Sequence, residues 1–200
     1  MVVIQISPGG KSTPKEQLRL VGIHSVGPGG LPKPARDLGE ARVLRSLYEI
    51  MDATELCSLS TVIHGGAAHS AHVYFAYTPR LELYFLSDPD SVHCTNLGTN
   101  PSMAVSVYDS TQRNFVGPGD RGVALYGRCT ESQGKEAHRA EEAYGNRFKP
   151  YASWRTGPGY DKEAQKWRFN RFVASRIKVF DEPKFGSGVF VVASVRRGLL

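Results

Sequence analysis

Short apolar runs closed by turn signals constrain this chain more than any other feature of its sequence. The runs are rich in β-branched and aromatic residues and span residues 56–63, 69–77, 81–86, 103–108, 122–130, 167–180 and 188–195. Hairpin connections join the first three, through His64-Gly65-Gly66-Ala67 and Thr78-Pro79-Arg80. Helical spacing occurs over residues 36–51, and helical composition returns over 132–148. The pattern predicts a small α+β barrel of six to seven mostly antiparallel strands with flanking helices.

The N-terminal segment, residues 1–34, has a different composition from the rest. It contains SPGGKSTP and VGPGGLPKP, and proline and glycine at this density disfavour both helix and sheet. We therefore predict an extended arm followed by one domain over residues 35–200. The apolar start lacks a basic flank, and no run approaches the ~20 apolar residues that a membrane span needs. A cytoplasmic protein without a membrane partner is expected.

The net charge of +6 raises the question of a nucleic-acid partner. The basic residues are scattered, and the densest group, KWRFNRF, alternates with aromatics as a strand does. No nucleic-acid motif is present, so we predict no such partner. A phosphorylated or acidic small ligand suits the charge equally well.

Cysteine and histidine spacing gives no sign of a metal site. The three cysteines, Cys57, Cys94 and Cys129, are far apart and form no CxxC, which argues against zinc or a disulfide framework. His69 and His72 are three apart in a predicted strand, and therefore on opposite faces. We expect no metal, and buried, unreactive cysteines.

The stretch LYFLSDPDSVHCTNLGTNP ends an apolar run abruptly and supports two interpretations. As pure structure, Ser87 or Asp88 caps a helix, Pro89 takes its first position, and Asp90 complements the helix dipole. The helix then runs to about Leu97, and Gly98 can end it. As a binding site, the start of this helix could hold an anion beside Ser87, Ser91 and His93. Both interpretations stay open on the residues alone.

Four segments together resemble a known family. They are AHVYFAYTP, LYFLSDPDSVHCTNLGTNPSMAVSVYD, RGVALYGRCT and RFVASRIKVFDEPKFGSGVFV. Their order is similar to the pyridoxamine 5′-phosphate oxidase-like family of flavin-binding split barrels, over roughly residues 38–195. The resemblance implies a split β-barrel, a homodimer that binds FMN between its subunits, and flavin hydride transfer to or from a small-molecule substrate.

The resemblance also implies which residues contact the cofactor. The flavin ring would lie against the strand around His72, and the phosphate would be held by hydroxyls and by the start of the following helix. The implied cofactor contacts are His72, Val73, Tyr74, Phe75, Ser87, Asp88, Ser91, Val92, His93 and Arg121. Where related oxidases use cations and a glutamine, this chain has His72, Val92, His93 and Arg121, which puts FMN affinity and pyridoxamine phosphate activity in doubt.

The substrate side of such a site can be assigned only provisionally. The candidates are Tyr74, Tyr77, Tyr108, Gln112, Arg113 and Tyr126, and each is also compatible with ordinary packing or a solvated loop. We interpret Trp154 and Trp167 as apolar anchors at the barrel edge or the dimer interface. No GxSxG is present, and no residue is assigned a catalytic role.

Two alternatives accompany the FMN-dependent oxidoreductase. Related split barrels use the deazaflavin F420 or bind haem, so either group could replace FMN. The chain could also be a non-catalytic flavin-binding or ligand-sensing dimer. The absorption spectrum of the bound chromophore distinguishes F420 or haem from FMN. Turnover distinguishes an enzyme from a non-catalytic binder or sensor.

Overall fold

A computed structural model describes residues 17–108, 119–158 and 164–198. The strands are β1 (Gln17–Val26), β2 (Leu56–Val62), β3 (Ala68–Tyr74), β4 (Ala76–Tyr77), β5 (Glu82–Ser87), β6 (Ser102–Tyr108), β7 (Arg121–Glu131), β8 (Arg168–Asp181) and β9 (Phe190–Gly198). The helices are α1 (Glu40–Asp52), α2 (Val92–Thr99), α3 (Lys135–Arg147), α4 (Pro150–Thr156) and α5 (Glu182–Phe185), with a 3₁₀ turn at Ala164–Lys166. The predicted α+β split-barrel class is confirmed.

All strand pairs are antiparallel, in the order β1-β9-β8-β7-β6-β2-β3. The short β4 pairs with β5, and β5 joins the sheet through β8. Within the described residues β3 pairs only with β2, so no ladder closes the barrel between β3 and β5. This opening is the split of the barrel. The described ranges contain nine strands rather than six to seven, because β1 was not expected and the predicted 69–77 run divides into β3 and β4.

Strand β8 belongs to both halves of the barrel. Its first half pairs with β5 and its second half with β9, while its other edge pairs with β7 along most of its length. A bulge permits the bend: Ala174 pairs with Gly127 and Arg176 with Tyr126, which leaves Ser175 as the extra residue. A Cβ on Gly127 would lie 2.1 Å from the carbonyl oxygen of Val173, so only glycine allows this approach.

Arg197 on β9 bridges the point at which β5 leaves β8. Its guanidinium donates to the carbonyl oxygens of Arg80 at 2.8 Å, Ala174 at 2.7 Å and Leu81 at 3.1 Å. Backbone carbonyls at the divergence of the two strands thereby gain a donor, although that of Leu81 also accepts from the Ala174 N–H at 3.3 Å. The arginine ties the β4–β5 connection to the other half of the barrel.

The expectation that residues 1–34 exclude regular structure is wrong over Gln17–Val26. This stretch pairs with β9 along its length and buries Leu18 and Leu20. It lies between the two proline and glycine clusters, and its alternating apolar residues outweigh the single Gly22, which takes a positive φ at a register shift. The division at residue 34 stays a prediction.

Two apolar clusters stabilise the fold. The larger fills the barrel and the groove beneath α1, where Val43, Leu47 and Met51 are fully buried. The smaller lies under α3 and α4, on β4, β5 and the start of β8; its members are Ala76, Tyr84, Ala140, Tyr144, Tyr151 and Phe169. The two helices after β7 therefore have a core of their own.

Two of the three cysteines, Cys57 and Cys129, are buried, and burial makes their thiols unreactive. It raises the pKa of the Cys57 thiol to about 12 and also raises that of Cys129. Both thiols stay protonated and pack as small apolar groups. Among the helices in the described ranges, none combines the length and apolarity required to cross a bilayer.

Candidate functional site

A cavity of about 950 Å³ opens at the split between β3 and β5. Strand residues form one side of it, and α3, α4 and the start of β8 form the other. The lining residues are Glu55, His72, Val73, Tyr74, Leu86, Ser87, Asp88, His93, Tyr144, Arg147, Phe148, Lys149, Pro150, Tyr151, Trp154 and Trp167. The volume falls within the range of small-molecule and cofactor sites.

One side of the cavity contains the strand that was predicted to contact the flavin ring. We call this side the strand wall; it is formed by His72, Val73 and Tyr74 of β3 with Leu86 and Ser87 of β5. Its β3 part is an unpaired sheet edge that faces the cavity. His72, Val73 and Tyr74 therefore line the cavity, and their contact with a cofactor stays a prediction.

Phe75, the fourth residue predicted on that strand, behaves differently from its neighbours. It is fully buried in the barrel core, and the Arg147 guanidinium lies 4.6 Å from its ring centroid. Only its backbone is therefore available on the strand side.

Three side chains at the end of β5 and the start of α2 contact one another at one end of the cavity, and we call them the serine–histidine cradle. Ser87 and His93 line the cavity, and Ser91 lies behind them. The Ser87 Oγ lies 2.7 Å from His93 Nε2 and 3.3 Å from the Ser91 Oγ. The Ser91 Oγ lies 3.2 Å from the same nitrogen. These are the three residues that the sequence predicted for an anion.

Helix α2 begins later than predicted. Ser91 is its N-cap and Val92 its first residue, so neither Ser87 nor Asp88 caps it and Pro89 is outside it. The cause is a turn before the helix, in which the Asp88 carboxylate accepts from the Asp90 N–H at 2.8 Å. Val92 is 53% exposed and does not line the cavity, so only its backbone N–H points toward the cradle end. Gly98 lies inside the helix, which ends at Thr99.

Burial decides the charge of the cradle. It lowers the pKa of His93 below the usual 6.5, and the nearby His69, stacked 6.5 Å away, lowers it further. His93 is therefore neutral near pH 7. The cradle offers hydroxyls and one neutral imidazole rather than a fixed positive charge.

The depressed pKa of His93 predicts a stability loss on acidification. Between the unfolded pKa of about 6.5 and the lower folded pKa, the unfolded imidazole binds a proton that the folded imidazole does not bind. Because the unfolded state binds more protons in this range, the free energy of unfolding falls as the pH is lowered through it. Urea unfolding between about pH 8 and about pH 5 measures this slope. We expect His93→Gln to flatten it and His138→Gln, at an exposed position on α3, to leave it unchanged. Equal slopes in the wild type and His93→Gln would contradict the assignment.

Aromatic side chains form the opposite side of the cavity, and we call them the aromatic row. Its members are Tyr144, Phe148, Tyr151, Trp154 and Trp167. Successive ring centroids lie 4.6 Å apart for Tyr144 and Phe148, 6.0 Å for Tyr151 and Trp154, and 6.0 Å for the two tryptophans. Tyr144 also donates to the carbonyl oxygen of Tyr74 at 3.3 Å, which ties the row to β3.

The sequence interpretation missed this row. Trp154 and Trp167 were expected to anchor a barrel edge or an interface, whereas both line the cavity. The spacing of Tyr144, Phe148 and Tyr151 at i+4 and i+7 was the available signal, since it would place the three side chains on one face of a continuous helix. In the structure α3 ends at Arg147 and Tyr151 belongs to α4, so packing between the two helices brings the rings together.

Charge is divided between the two sides. Lys149 follows Phe148 on the aromatic side, whereas Glu55 and Asp88 lie on the strand side. The Arg147 side chain starts on α3 and crosses to the strand side, where its guanidinium lies 4.6 Å from the Phe75 ring centroid. Arg147 is held in place by donating to the carbonyl oxygens of Met51 at 2.8 Å and Thr54 at 2.7 Å. Lys149 is exposed.

The other predicted site residues lie elsewhere. Arg121 pairs with Glu49 at 3.1 Å and the buried Asp181 at 3.2 Å, outside the cavity lining. Tyr77 donates to Asp52 at 2.6 Å and lines a separate charged cavity of about 1070 Å³.

Tyr108 and Tyr126 share a shallow groove of about 230 Å³ on the outer face of β6 and β7. Gln112 and Arg113 fall outside the described residues. The structure therefore brings together the strand and cradle residues of the predicted site, Tyr74 included, whereas Tyr77, Tyr108 and Tyr126 lie away from them.

No family model matches this sequence, and no curated protein matches it either. Solved structures do match. A heme binding protein from Mycobacterium smegmatis superimposes with a TM-score of 0.57 at 12% identity, over 78% of this chain and 57% of that one. A candidate pyridoxamine 5′-phosphate oxidase from Listeria innocua gives 0.51 at 17% identity, over 68% and 97%. An FAD-binding protein from Mesorhizobium loti gives 0.50 at 14% identity, over 87% and 99%.

These similarities establish the fold. The chain shares its fold with these three proteins, one of them described as a candidate pyridoxamine 5′-phosphate oxidase, and the resemblance inferred from the sequence is confirmed at the level of the fold. The chain spans little more than half of the mycobacterial protein. At these identities the likeness concerns architecture.

Proposed function

We propose that this chain binds FMN in the cavity at the barrel split and acts as a flavin-dependent oxidoreductase on a small molecule. The observation that carries the proposal is the serine–histidine cradle, which is placed at one end of an aromatic-lined cavity beside an open strand edge. Structural neighbours described as a candidate pyridoxamine 5′-phosphate oxidase and an FAD-binding protein support it.

The residues present fit a flavin phosphate. Two hydroxyls, one imidazole nitrogen and the first N–H groups of α2 can all donate to phosphate oxygens at one point. The His72 imidazole lies on the same wall and can add a donor. Asp88 opposes the anion, because its carboxylate also lines the cavity.

Each side of the cavity would have a distinct task. The strand wall and the cradle would hold and orient the cofactor, and the aromatic row would exclude water from the space above it. A bound flavin would supply the hydride transfer. No side chain is assigned a proton transfer.

Replacing Asp88 with asparagine should tighten FMN binding several-fold. The substitution removes a negative charge beside the phosphate position, and the asparagine oxygen can still accept from the Asp90 N–H, so the turn is kept. Titration of flavin-free protein with FMN, followed by flavin fluorescence, measures the change. Asp90→Asn is the matched control, since Asp90 is exposed on the same turn and does not line the cavity. Equal affinities in both variants would remove Asp88 from the site.

The decisive experiment is an absorption spectrum of the purified protein, with mass spectrometry of the small molecule released on denaturation. Flavin bands with release of FMN are the expected result. A colourless protein that takes up neither FMN, F420 nor haem from solution would overturn the cofactor proposal and leave the fold.

Haem is the second candidate, and His72 favours it. This imidazole is exposed on the cavity wall, so it can act as an axial ligand. A heme binding protein is among the structural neighbours. An intense Soret band that is lost in His72→Ala would establish haem instead of flavin. A flavin-containing protein that shows no turnover with any pair of reductant and acceptor would be the non-catalytic binder or sensor.

We also propose a homodimer. The outer face of β6 to β9 supports it, because Tyr108 is 53% exposed there and Phe180 and Phe190 stack at 4.5 Å beside the groove that they share with Tyr126. Sedimentation velocity measures the mass in solution. A monomer at micromolar concentration would contradict the proposal.

A further inference from the structure

We propose that the aromatic row is the substrate subsite, and that it takes a planar conjugated ring with an anionic substituent. The inference rests on the proposed function, because it assigns the strand wall to the cofactor and the opposite side to the substrate. It concerns residues 144–154 and Trp167, which lie outside the four segments that resemble known split barrels.

The row forms a continuous aromatic surface whose neighbouring rings are tilted by 36° to 73°. Five rings follow one another from α3 to the start of β8, with neighbouring centroids within stacking distance. Tyr144 and Tyr151 are anchored in the small core at 8% and 7% exposure, whereas Trp167 remains 37% exposed. Rigid rings at the back and accessible rings at the front favour a flat ligand over a flexible chain.

The position of the charges selects the substituent. Lys149 follows Phe148 on the aromatic side, whereas the carboxylates of the described lining, Glu55 and Asp88, lie on the strand side. The Arg147 guanidinium also extends to the strand side, 4.6 Å from the Phe75 ring centroid. Arg147 is fixed by two backbone carbonyls and by Asp52 at 3.8 Å, so the exposed Lys149 is the cation free to move toward a ligand. A carboxylate, sulfonate or phosphate on the ring would lie near Lys149.

The two sides of the cavity therefore differ in chemistry. The strand side offers backbone, hydroxyls and imidazoles, which suit a phosphate-bearing cofactor. The aromatic side offers rings and the exposed Lys149. A planar substrate held there would face the cofactor across the cavity, with its ring in contact with the aromatic row.

A matched pair of probes tests the row directly: 2-naphthoate and its saturated analogue decahydro-2-naphthoate. They carry the same charge and carbon skeleton, and differ in planarity and π-electrons. We expect calorimetry on the full chain to show 2-naphthoate binding about tenfold more tightly, the effect of one to two aromatic contacts. The chain has two tryptophans, and both line this cavity, so 2-naphthoate should also change the intrinsic fluorescence. Equal affinities for the two probes would overturn the proposal.

Variants assign the effect to residues. Trp154→Leu should weaken 2-naphthoate binding about tenfold and leave the saturated probe nearly unchanged. Lys149→Gln should weaken both probes alike, since both carry the carboxylate. Tyr126→Leu is the control, because Tyr126 is an aromatic residue of the outer face, 4.4 Å from Arg176 and outside the cavity. An effect of Tyr126→Leu equal to that of Trp154→Leu would contradict the assignment.

FMN uptake, measured on the same samples, separates this inference from the proposed function. Trp154→Leu should keep FMN, and FMN-loaded protein should bind 2-naphthoate at least as tightly as flavin-free protein. Loss of 2-naphthoate binding on FMN loading would show that the row holds the flavin itself, which overturns the inference and keeps the function. Probe binding without any FMN uptake would overturn the function and keep the stacking site.

Discussion

Replacing Ser91 with aspartate should abolish FMN retention while the fold survives. The Ser91 Oγ is 3.3 Å from the Ser87 Oγ and 3.2 Å from His93 Nε2, so a carboxylate there would lie beside any phosphate in the cradle. Like charges about 4 Å apart repel by about 4 kcal/mol at an effective dielectric constant of about 20, which is several hundredfold in affinity. Aspartate is as good an N-cap as serine, so α2 should form normally.

The measurement is uptake of added FMN by flavin-free protein at mildly alkaline pH, where His93 is neutral and cannot offset the new charge. Thr95→Asp is the matched control. It adds the same charge one turn further along α2, at an exposed position outside the cavity lining. Unchanged FMN occupancy in Ser91→Asp, with a normal circular dichroism spectrum, would remove the cradle from the proposed site.

Gly127→Ala should cost about 3 kcal/mol or more of the free energy of unfolding, the upper end of overpacking effects. The added Cβ would lie 2.1 Å from the Val173 carbonyl oxygen and 3.0 Å from the Ala174 Cα. These are backbone atoms of β8 at the bulge, and they cannot rotate away as a side chain could. The substitution must push β7 from β8 at the point where β8 bends.

Gly122→Ala provides the control on the same strand. Its added Cβ would meet the Val107 carbonyl oxygen at 3.4 Å, an ordinary contact. Urea unfolding of both variants measures the difference, and we expect Gly122→Ala to change stability by less than about 1 kcal/mol. Similar losses in the two variants would mean that the bulge tolerates a side chain.

The strands after residue 55 could be predicted because their signal is local. Alternation and turn residues gave β2, β5, β6, β7 and β8 with ends that differ from the structure by one or two residues. The hairpin at Gly65 and Gly66 formed as expected, since both glycines take positive φ. Strand β1 was missed because its flanking prolines and glycines dominate the composition of that region.

The cradle could be predicted for the same reason, and the aromatic row could not. Ser87, Ser91 and His93 lie within seven consecutive residues, so the sequence already places them close together. The row joins Tyr144 on α3 to Trp167 at the start of β8, through contacts that exist only once the helices pack on the sheet. Arg121 was predicted to be in the site but is paired elsewhere. The sequence could not show this, because its partners Glu49 and Asp181 are distant in sequence.

Because α3 and α4 pack on a core of their own, the aromatic side of the cavity can change in sequence separately from the strand side. The row is carried by the connection between β7 and β8, and Ala140, Tyr144 and Tyr151 pack in the smaller cluster rather than in the barrel interior. Substitutions in that connection can alter the ring surface without disturbing the barrel ladders or the cradle. Such a scaffold can diversify its ligand preference while it keeps one cofactor, and a mutagenesis library confined to residues 144–158 would exploit that modularity.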